Sequence, residues 1–372
     1  MVRAPGIVVV YSPSNRYGRS HQQATCTEIA RRLAVLRGFD FAGRFEPSKS
    51  YPGPVYFVPS DTLLEQEAGA LGIESEHDLY GGVVPYGFVA TKAITHPLIE
   101  PGAAAPPSWS PRLAKRLEGA VLSGFSAFSL EDARRAGMRL LKRGSVRLKP
   151  VCETGGLGQI VVEDVAALDC ALAAFDPAEV SRDGVVLEEN LSGVRTLSVG
   201  QVYVADMVIT YYGIQHLTSD HSGAAVYGGS DLVVARGGFN TLMTLDLPEA
   251  ARRAIEQGRA YQTAACGVFP GMILSRRNYD IAQGFDKRGQ LRSGVLEQSW
   301  RVSGASGAEI AALEAFRAEP TLQAIRASTV EVYGGADPPP HATVYFHGVD
   351  EQVGPMMKYA FVEPWDDPEQ RG

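Results

Sequence analysis

The chain opens with a β-branched apolar run at 7–11 (IVVVY) that breaks at once into the polar, turn-rich SPSNRYGRS. In the next segment, HQQATCTEIARRLAVLRG, Ile29, Leu33 and Leu36 recur on one helical face and Gly38 stands where the helix should end. PVYFVPS reads as another strand, with Ser60 placed to cap a helix over DTLLEQEAGAL. Strand, helix, strand, helix in that order implies a parallel α/β unit over about residues 1–90. VVPYGFVATKAITHPL closes it, so the first domain is expected at 1–100, and PGAAAPP at 101–107 reads as a linker.

The pattern changes near residue 120. VLSGFSAFS precedes SLEDARRAGMRLLKRG, a helix with Ser129 as its cap, acidic residues in its first turn and Gly144 at its end. SVRLKPV is then a strand carrying one lysine, ETGGLGQ a glycine-rich turn, IVVED a second strand, VAALDCALAAF a helix, and GVVLEENL a closing strand. Beyond it come long stretches with antiparallel character, RTLSVGQVYVADMVITYYGIQ and SGAAVYGGSDLVVARGGF, then a helix, PEAARRAIEQGRAYQTAACG, and a hairpin. The fold class expected is α/β, with α+β character in the C-terminal half. Its domains are 1–100, 108–192 and 193–350, with an irregular tail at 351–372.

Composition narrows the function. Apolar residues make up 45% and charged residues 21%, as in an ordinary soluble enzyme, and 372 residues suit two or three domains. A net charge of -7 argues against working by neutralising nucleic-acid phosphates or anionic lipid. The N-terminal apolar run is too short for a signal-peptide core or a membrane span. Cys26, Cys152, Cys170 and Cys266 are scattered without ligand spacing, so reduced thiols, a cytoplasmic location and no zinc are expected.

Three features carry candidate chemistry. RLKPVCETGGLGQ sets a strand lysine before glycines that let backbone N–H groups approach phosphate oxygens; a plain glycine-rich hairpin reads the same way. It matches neither a P-loop nor a dinucleotide fingerprint. VVLEENL is apolar until Glu188 and Glu189, which would also suit a strand end reaching solvent. NYDIAQGFDKRGQLRSGVLEQSWR reads as a hairpin with Asp280 on one strand and Glu297 on the other. Glu297 lies between an apolar run and an aromatic, a half-buried setting that calls for a partner, and two converging carboxylates suit magnesium with bound phosphate.

In order and spacing, these stretches resemble the ATP-grasp superfamily from about residue 122 to 304. Its lysine–proline strand and glycine loop match RLKPVCETGGLGQIVV, its hinge VVLEENLSG, and its metal hairpin NYDIAQGFDKRGQLRSGVLEQSWRVSG. The resemblance implies an ATP-grasp fold behind an N-terminal parallel domain, with ATP and Mg2+ as cofactors. It puts Lys149 on the ATP phosphates, Gly155, Gly156 and Gly158 in the loop over them, and Glu188, Glu189, Asn190 and Leu191 at the adenine hinge. Lys92 resembles the earlier phosphate-side lysine, with Lys115 a competitor. Asp280, Glu297 and Ser299 fall at the metal positions, and Arg301 where an arginine contacts the transferring phosphate. Ser299 departs from the asparagine usual there, and Arg195 from the glutamate that often binds ribose.

The implied activity is that of an ADP-forming ligase. A small-molecule carboxylate would be activated as an acylphosphate, and an amine or similar nucleophile would displace phosphate, with Lys149 and Arg301 neutralising charge. For the substrate, Arg236, His221 and Arg16 are the candidates, Arg236 to hold a carboxylate and Arg16 because open α/β sheets bind ligands at strand ends. His96 before Pro97 reads as shaping a loop. Related enzymes of this size are often dimers. The rivals are a non-catalytic ATP-binding module of the same fold, favoured by Ser299 and Arg195, and an unrelated dehydrogenase, for which the first strand lacks a fingerprint. A protein-interaction scaffold would show a repeat or heptads, and there are none.

Overall fold

A computed structural model describes residues 6–13, 20–152, 158–334 and 337–365. The N-terminal unit is built on β1 (Ile7–Tyr11), α1 (His21–Arg37), β2 (Asp40–Arg44) and β3 (Val55–Pro59), the strands forming a parallel sheet in the order β2-β1-β3. Parallel strands need crossovers, and α1 supplies the first, burying Ile29, Leu33 and Leu36. Gly38 ends α1 at φ +66°, a left-handed conformation that costs glycine little. Two short strands, β4 (Leu63–Leu64) and β5 (Gly82–Val84), flank α2 (Glu65–Leu71). Ser60 does not cap this helix: its N-cap is Leu64, whose N–H is taken by Glu67.

The second unit begins with α3 (Pro111–Arg116) and then forms a four-stranded antiparallel sheet. Its elements are β6 (Gly124–Ala127), α4 (Leu130–Leu141), β7 (Val146–Pro150), β8 (Ile160–Val162), α5 (Val165–Leu172), α6 (Pro177–Asp183) and β9 (Val185–Glu189), in the sheet order β6-β9-β7-β8. Ser129 caps α4, its hydroxyl accepting from Asp132 N at 3.1 Å. One face of the sheet packs on α4 and α5 around Val146, Leu148, Leu168 and Leu187.

At Asn190–Leu191 the chain passes into the large antiparallel sheet. Its strands are β10 (Ser192–Val204), β11 (Met207–Ser219) and β12 (Ala225–Arg236), then, after α7 (Phe239–Leu242), α8 (Glu249–Val268) and the short β13 (Ile273–Leu274), the hairpin β14 (Arg276–Phe285) and β15 (Leu291–Ser299). Helix α9 (Ser306–Ala318) precedes β16 (Ala324–Tyr333), β17 (Thr343–Asp350) and β18 (Gly354–Pro364), and the sheet order is β15-β14-β10-β11-β12-β16-β18-β17. The tail expected to be irregular is therefore corrected: β18 pairs along its length with β16 and carries Met356, Met357 and Ala360 into the interior. Helix α8 packs behind the hairpin side of this sheet, leaving its other face open as the floor of a cavity.

Candidate active site

Alternation along the strands decides which side chains meet. On β14, Asn278, Asp280 and Ala282 share one face, and all three line a cavity of about 1050 Å³ between the three units. Asp280 faces Glu297 in register across the hairpin, but Ile281 faces Val295, so Leu296 is an extra residue on β15. The bulge re-aims this strand, and Leu296 and Glu297 both line the cavity.

Asp280 accepts from Gln215 Nε2 at 2.8 Å and from Asn278 Nδ2 at 2.9 Å. Burial, with Glu297 opposite, pushes its carboxyl up to about 6 against these bonds. Glu297 has a different partner, Lys92 Nζ at 2.7 Å, and Lys92 is 5% exposed. Lys115, the competitor for that position, is exposed on α3. Arg276 also acts on Asp280, lowering its carboxyl against the larger effects of burial and Glu297. Among the described residues, no three His, Cys, Asp or Glu side chains cluster to hold a metal.

Lys149 enters from β7. Arg147 is the register partner of Glu188 on β9, which puts Lys149 diagonally across from the same glutamate, and Lys149 Nζ pairs with Glu188 Oε1. The other oxygen, Oε2, bonds His96 Nε2 at 3.1 Å. All three side chains are at most 3% exposed. Burial alone would raise the Glu188 carboxyl, but Lys149 and His96 outweigh it and hold it at about 2. One expectation is corrected here: His96, read as shaping a loop, is a buried partner of the Lys149–Glu188 ion pair, to which the Glu188 side chain is committed. A Cβ on Gly124 would lie 2.7 Å from the His96 ring, so only glycine leaves that ring its place.

The hinge follows. Glu189 Oε1 accepts from Ser123 N and Arg292 Nη2, each at 2.9 Å, while Asn190 Oδ1 accepts from Arg147 at 2.8 Å. Leu191 packs with Leu122, Ala282 and Leu296 as an apolar shelf on the cavity wall.

Arg301 lines the cavity and faces Asp61 at 3.5 Å. Ser299 lines it too, its hydroxyl accepting from Arg276 Nη1 at 3.3 Å. Arg276 is fully buried and was not legible as a site residue; beyond Ser299 it donates to the carbonyl oxygens of Ser299 and Arg301 and pairs with Glu309 at 2.7 Å. Glu309 also takes the hydroxyls of Tyr80 and Tyr211, and the single Tyr211 proton is shared with Asn278 Oδ1, 3.0 Å from the hydroxyl oxygen. Polar contacts thus link Tyr80 in the N-terminal unit to Asn278 and Asp280.

Two substrate candidates lie elsewhere. Arg236, at the end of β12, donates to the carbonyl oxygens of Phe316 and Pro320 and so caps the C-terminal end of α9. His221 bonds Pro355 O at 2.8 Å on the surface, against Tyr333. Neither lines the cavity. Gly158 is exposed beyond β7; Gly155, Gly156 and Arg16 lie outside the described residues.

The sequence matches, over residues 9–360, the family model described as "Protein of unknown function (DUF3182)". The chain belongs to the DUF3182 family. No curated protein matches it significantly. Among solved structures, this DUF3182 chain is similar to phosphoribosylamine–glycine ligase from Thermotoga maritima at a TM-score of 0.52 and 14% identity, covering 98% of this chain and 94% of that one. It is also similar to D-alanyl-alanine synthetase A from Vibrio cholerae, at 0.43 and 11% over 81% and 90% of the two chains. A third similar structure is the ATP-grasp ligase PsnB, at 0.39 and 16% over 84% and 98%. The first of these shows the fold, and the DUF3182 chain has the ATP-grasp fold. No helix among its described residues is long and apolar enough to cross a membrane.

Proposed function

We propose that this protein is an ATP- and Mg2+-dependent, ADP-forming ligase that activates a small carboxylate as an acylphosphate for attack by an amine or similar nucleophile. The observation that carries this reading is the Asp280–Glu297 pair, presented by a bulged hairpin to a cavity that Lys149 and an adjoining apolar shelf also line. The residues fit the two groups. A carboxyl pushed up to about 6 by burial and a neighbouring carboxylate is one that a divalent cation would restore to its ionised form. Magnesium is ordinarily held by one or two carboxylates, with phosphate oxygens and water completing its shell, so two acids suffice. The shelf of Leu122, Leu191 and Ala282 offers a purine ring an apolar face beside the hinge.

Bound ATP and Mg2+ would supply the transferable phosphoryl group and neutralise its charge. The rest falls to the chain. Lys92 holds Glu297 in place, Arg276 fixes the backbone at Ser299 and Arg301, and Arg301 brings a guanidinium to the cavity. Lys149 reaches phosphate by exchanging Glu188 for it, while His96 stays on Glu188.

A second reading is favoured by one observation: Lys92 and Lys149 are both already paired with carboxylates, which suits a module that binds ATP without turning it over. ADP release measured with ATP, Mg2+ and pools of amino acids and small carboxylates separates the two. Stimulated release that disappears in Glu297→Ala and Lys149→Ala supports the ligase. ATP binding by calorimetry without turnover on any pool supports the module, and no ATP binding defeats both.

A further inference from the structure

The cavity continues past the paired carboxylates. Its far end lies between β12, β16 and β18 on one side and the start of α1 on the other, with Tyr227, Glu331, Tyr333, Lys358 and His21 on its walls. A pocket for one small ligand is roughly 300–1,000 Å³. At about 1050 Å³, with the shelf and the acid pair at one end, this cavity has room for a second molecule at the other.

Glu331 and Lys358 are register partners on β16 and β18 and pair at 2.7 Å, their side chains 11% and 13% exposed. On a solvent face this would be an ordinary cross-strand pair. Here both charges are withdrawn from water on the cavity side of the sheet, where the desolvation cost calls for further partners. The wall behind them is hydrogen-bonded through Asp350. His21 N donates to Asp350 Oδ2 at 2.7 Å, and Asp350 Oδ1 accepts from Gln352 N and Val353 N. The His21 ring stands edge-on to Phe346.

His21 Nδ1 is buried and has no hydrogen-bond partner among the described residues. Burial, then Lys358, lower this imidazole to about 4 against the opposing pull of Asp350, so it is uncharged at neutral pH. The Tyr333 hydroxyl is raised by burial and then by Glu331, Asp220 and Asp350. The chamber therefore offers a carboxylate, an uncharged imidazole and tyrosine faces to a cation, and one ammonium to an anion.

We propose that this chamber binds the acceptor of the ligase reaction, and that the acceptor is a small amino-acid-like zwitterion with its ammonium on Glu331 and His21 and its carboxylate on Lys358. The assignment rests on the ligase reading above and adds to it the acceptor's class and place.

The test uses the full-length protein saturated with ATP and Mg2+, with thermal shift and calorimetry on single L-amino acids, their N-acetyl derivatives and their carboxamides. At least one amino acid is expected to bind, and blocking either of its charges to weaken it about 10- to 100-fold, the loss typical of one charged hydrogen bond. Glu331→Gln should produce the first loss and Lys358→Met the second, while ATP affinity, which reports the fold and the nucleotide end, stays unchanged. The proposal is overturned if ATP binds and no amino acid does, if blocked and unblocked ligands bind alike, or if both variants bind amino acid as the wild type does. Failure to bind ATP would instead strike the ligase reading. Because the ligand-blocking comparison uses wild-type protein, it stands even if a variant does not fold.

Discussion

Replacing Glu188 with glutamine leaves the Lys149 ammonium buried without a counter-charge while keeping an acceptor for His96. Two routes give the size of the loss. A carboxylate held at about 2 against an ordinary 4.5 corresponds to about 3 kcal/mol of folded-state preference for the ionised form. Removing one partner of a buried ion pair costs about 3–5 kcal/mol in proteins generally. Because the folded value lies below the unfolded one, this stability is fully present above pH 4.5 and is lost as pH falls through 2. Urea unfolding followed by tryptophan fluorescence should therefore place Glu188→Gln about 3 kcal/mol below the wild type at pH 7, with the gap narrowing between pH 4.5 and 2. Adding Lys149→Met removes the stranded charge, and the double variant should recover to within about 1 kcal/mol of the wild type while still failing to bind ATP. A single-variant loss under 1 kcal/mol, a gap that stays constant as pH falls, or a double variant no better than Glu188→Gln would refute the account of this triad.

Three further outcomes are expected. Asp280→Asn should stabilise the metal-free protein by about 1–2 kcal/mol at pH 7, a figure reduced because the carboxyl is partly open to the cavity; its raised value means that its contribution is full below 3.8 and is lost as pH rises through about 6. The same variant should abolish Mg2+ binding by calorimetry, and wild-type Mg2+ affinity should rise with pH through that range. Arg276→Met, which strands Glu309 and frees the Ser299 and Arg301 carbonyls, should cost about 3–5 kcal/mol in denaturant unfolding. Gly124→Ala should cost about 1–3 kcal/mol by pushing on the His96 ring, and should weaken ATP binding by calorimetry because Glu188 moves with it.

Local pattern carried much of the fold. The apolar spacing of Ile29, Leu33 and Leu36, the cap at Ser129 and the terminal Gly38 are properties of neighbouring residues and appear where the chain implied them. The cap expected at Ser60 failed because a short strand intervenes at Leu63–Leu64, too brief to leave a period in the sequence. β16 and β18 were missed for a related reason: each becomes a strand by pairing across a long connection, and the proline-rich stretch before β17 masks the change.

The site divides in the same way. That Asp280 and Glu297 share a hairpin, and that Lys149 stands on a strand beside a glycine turn, follows from order and spacing along the chain. Which partner each charge takes does not, because burial and sheet register set it. Glu188 meets Lys149 because Arg147 is its register partner; His96 reaches Glu188 from a segment 92 residues earlier; Lys92 crosses to Glu297 from the first unit. Arg236 looked like a substrate ligand because an arginine in a polar, glycine-rich stretch offers nothing else to pair with until α9 presents its carbonyl end. The sequence by itself determined many of the elements and the charged residue types of the candidate site, since both depend on short-range periodicity and local chemistry. Tertiary structure alone decided how the charges pair, since that depends on contacts between residues far apart in the chain.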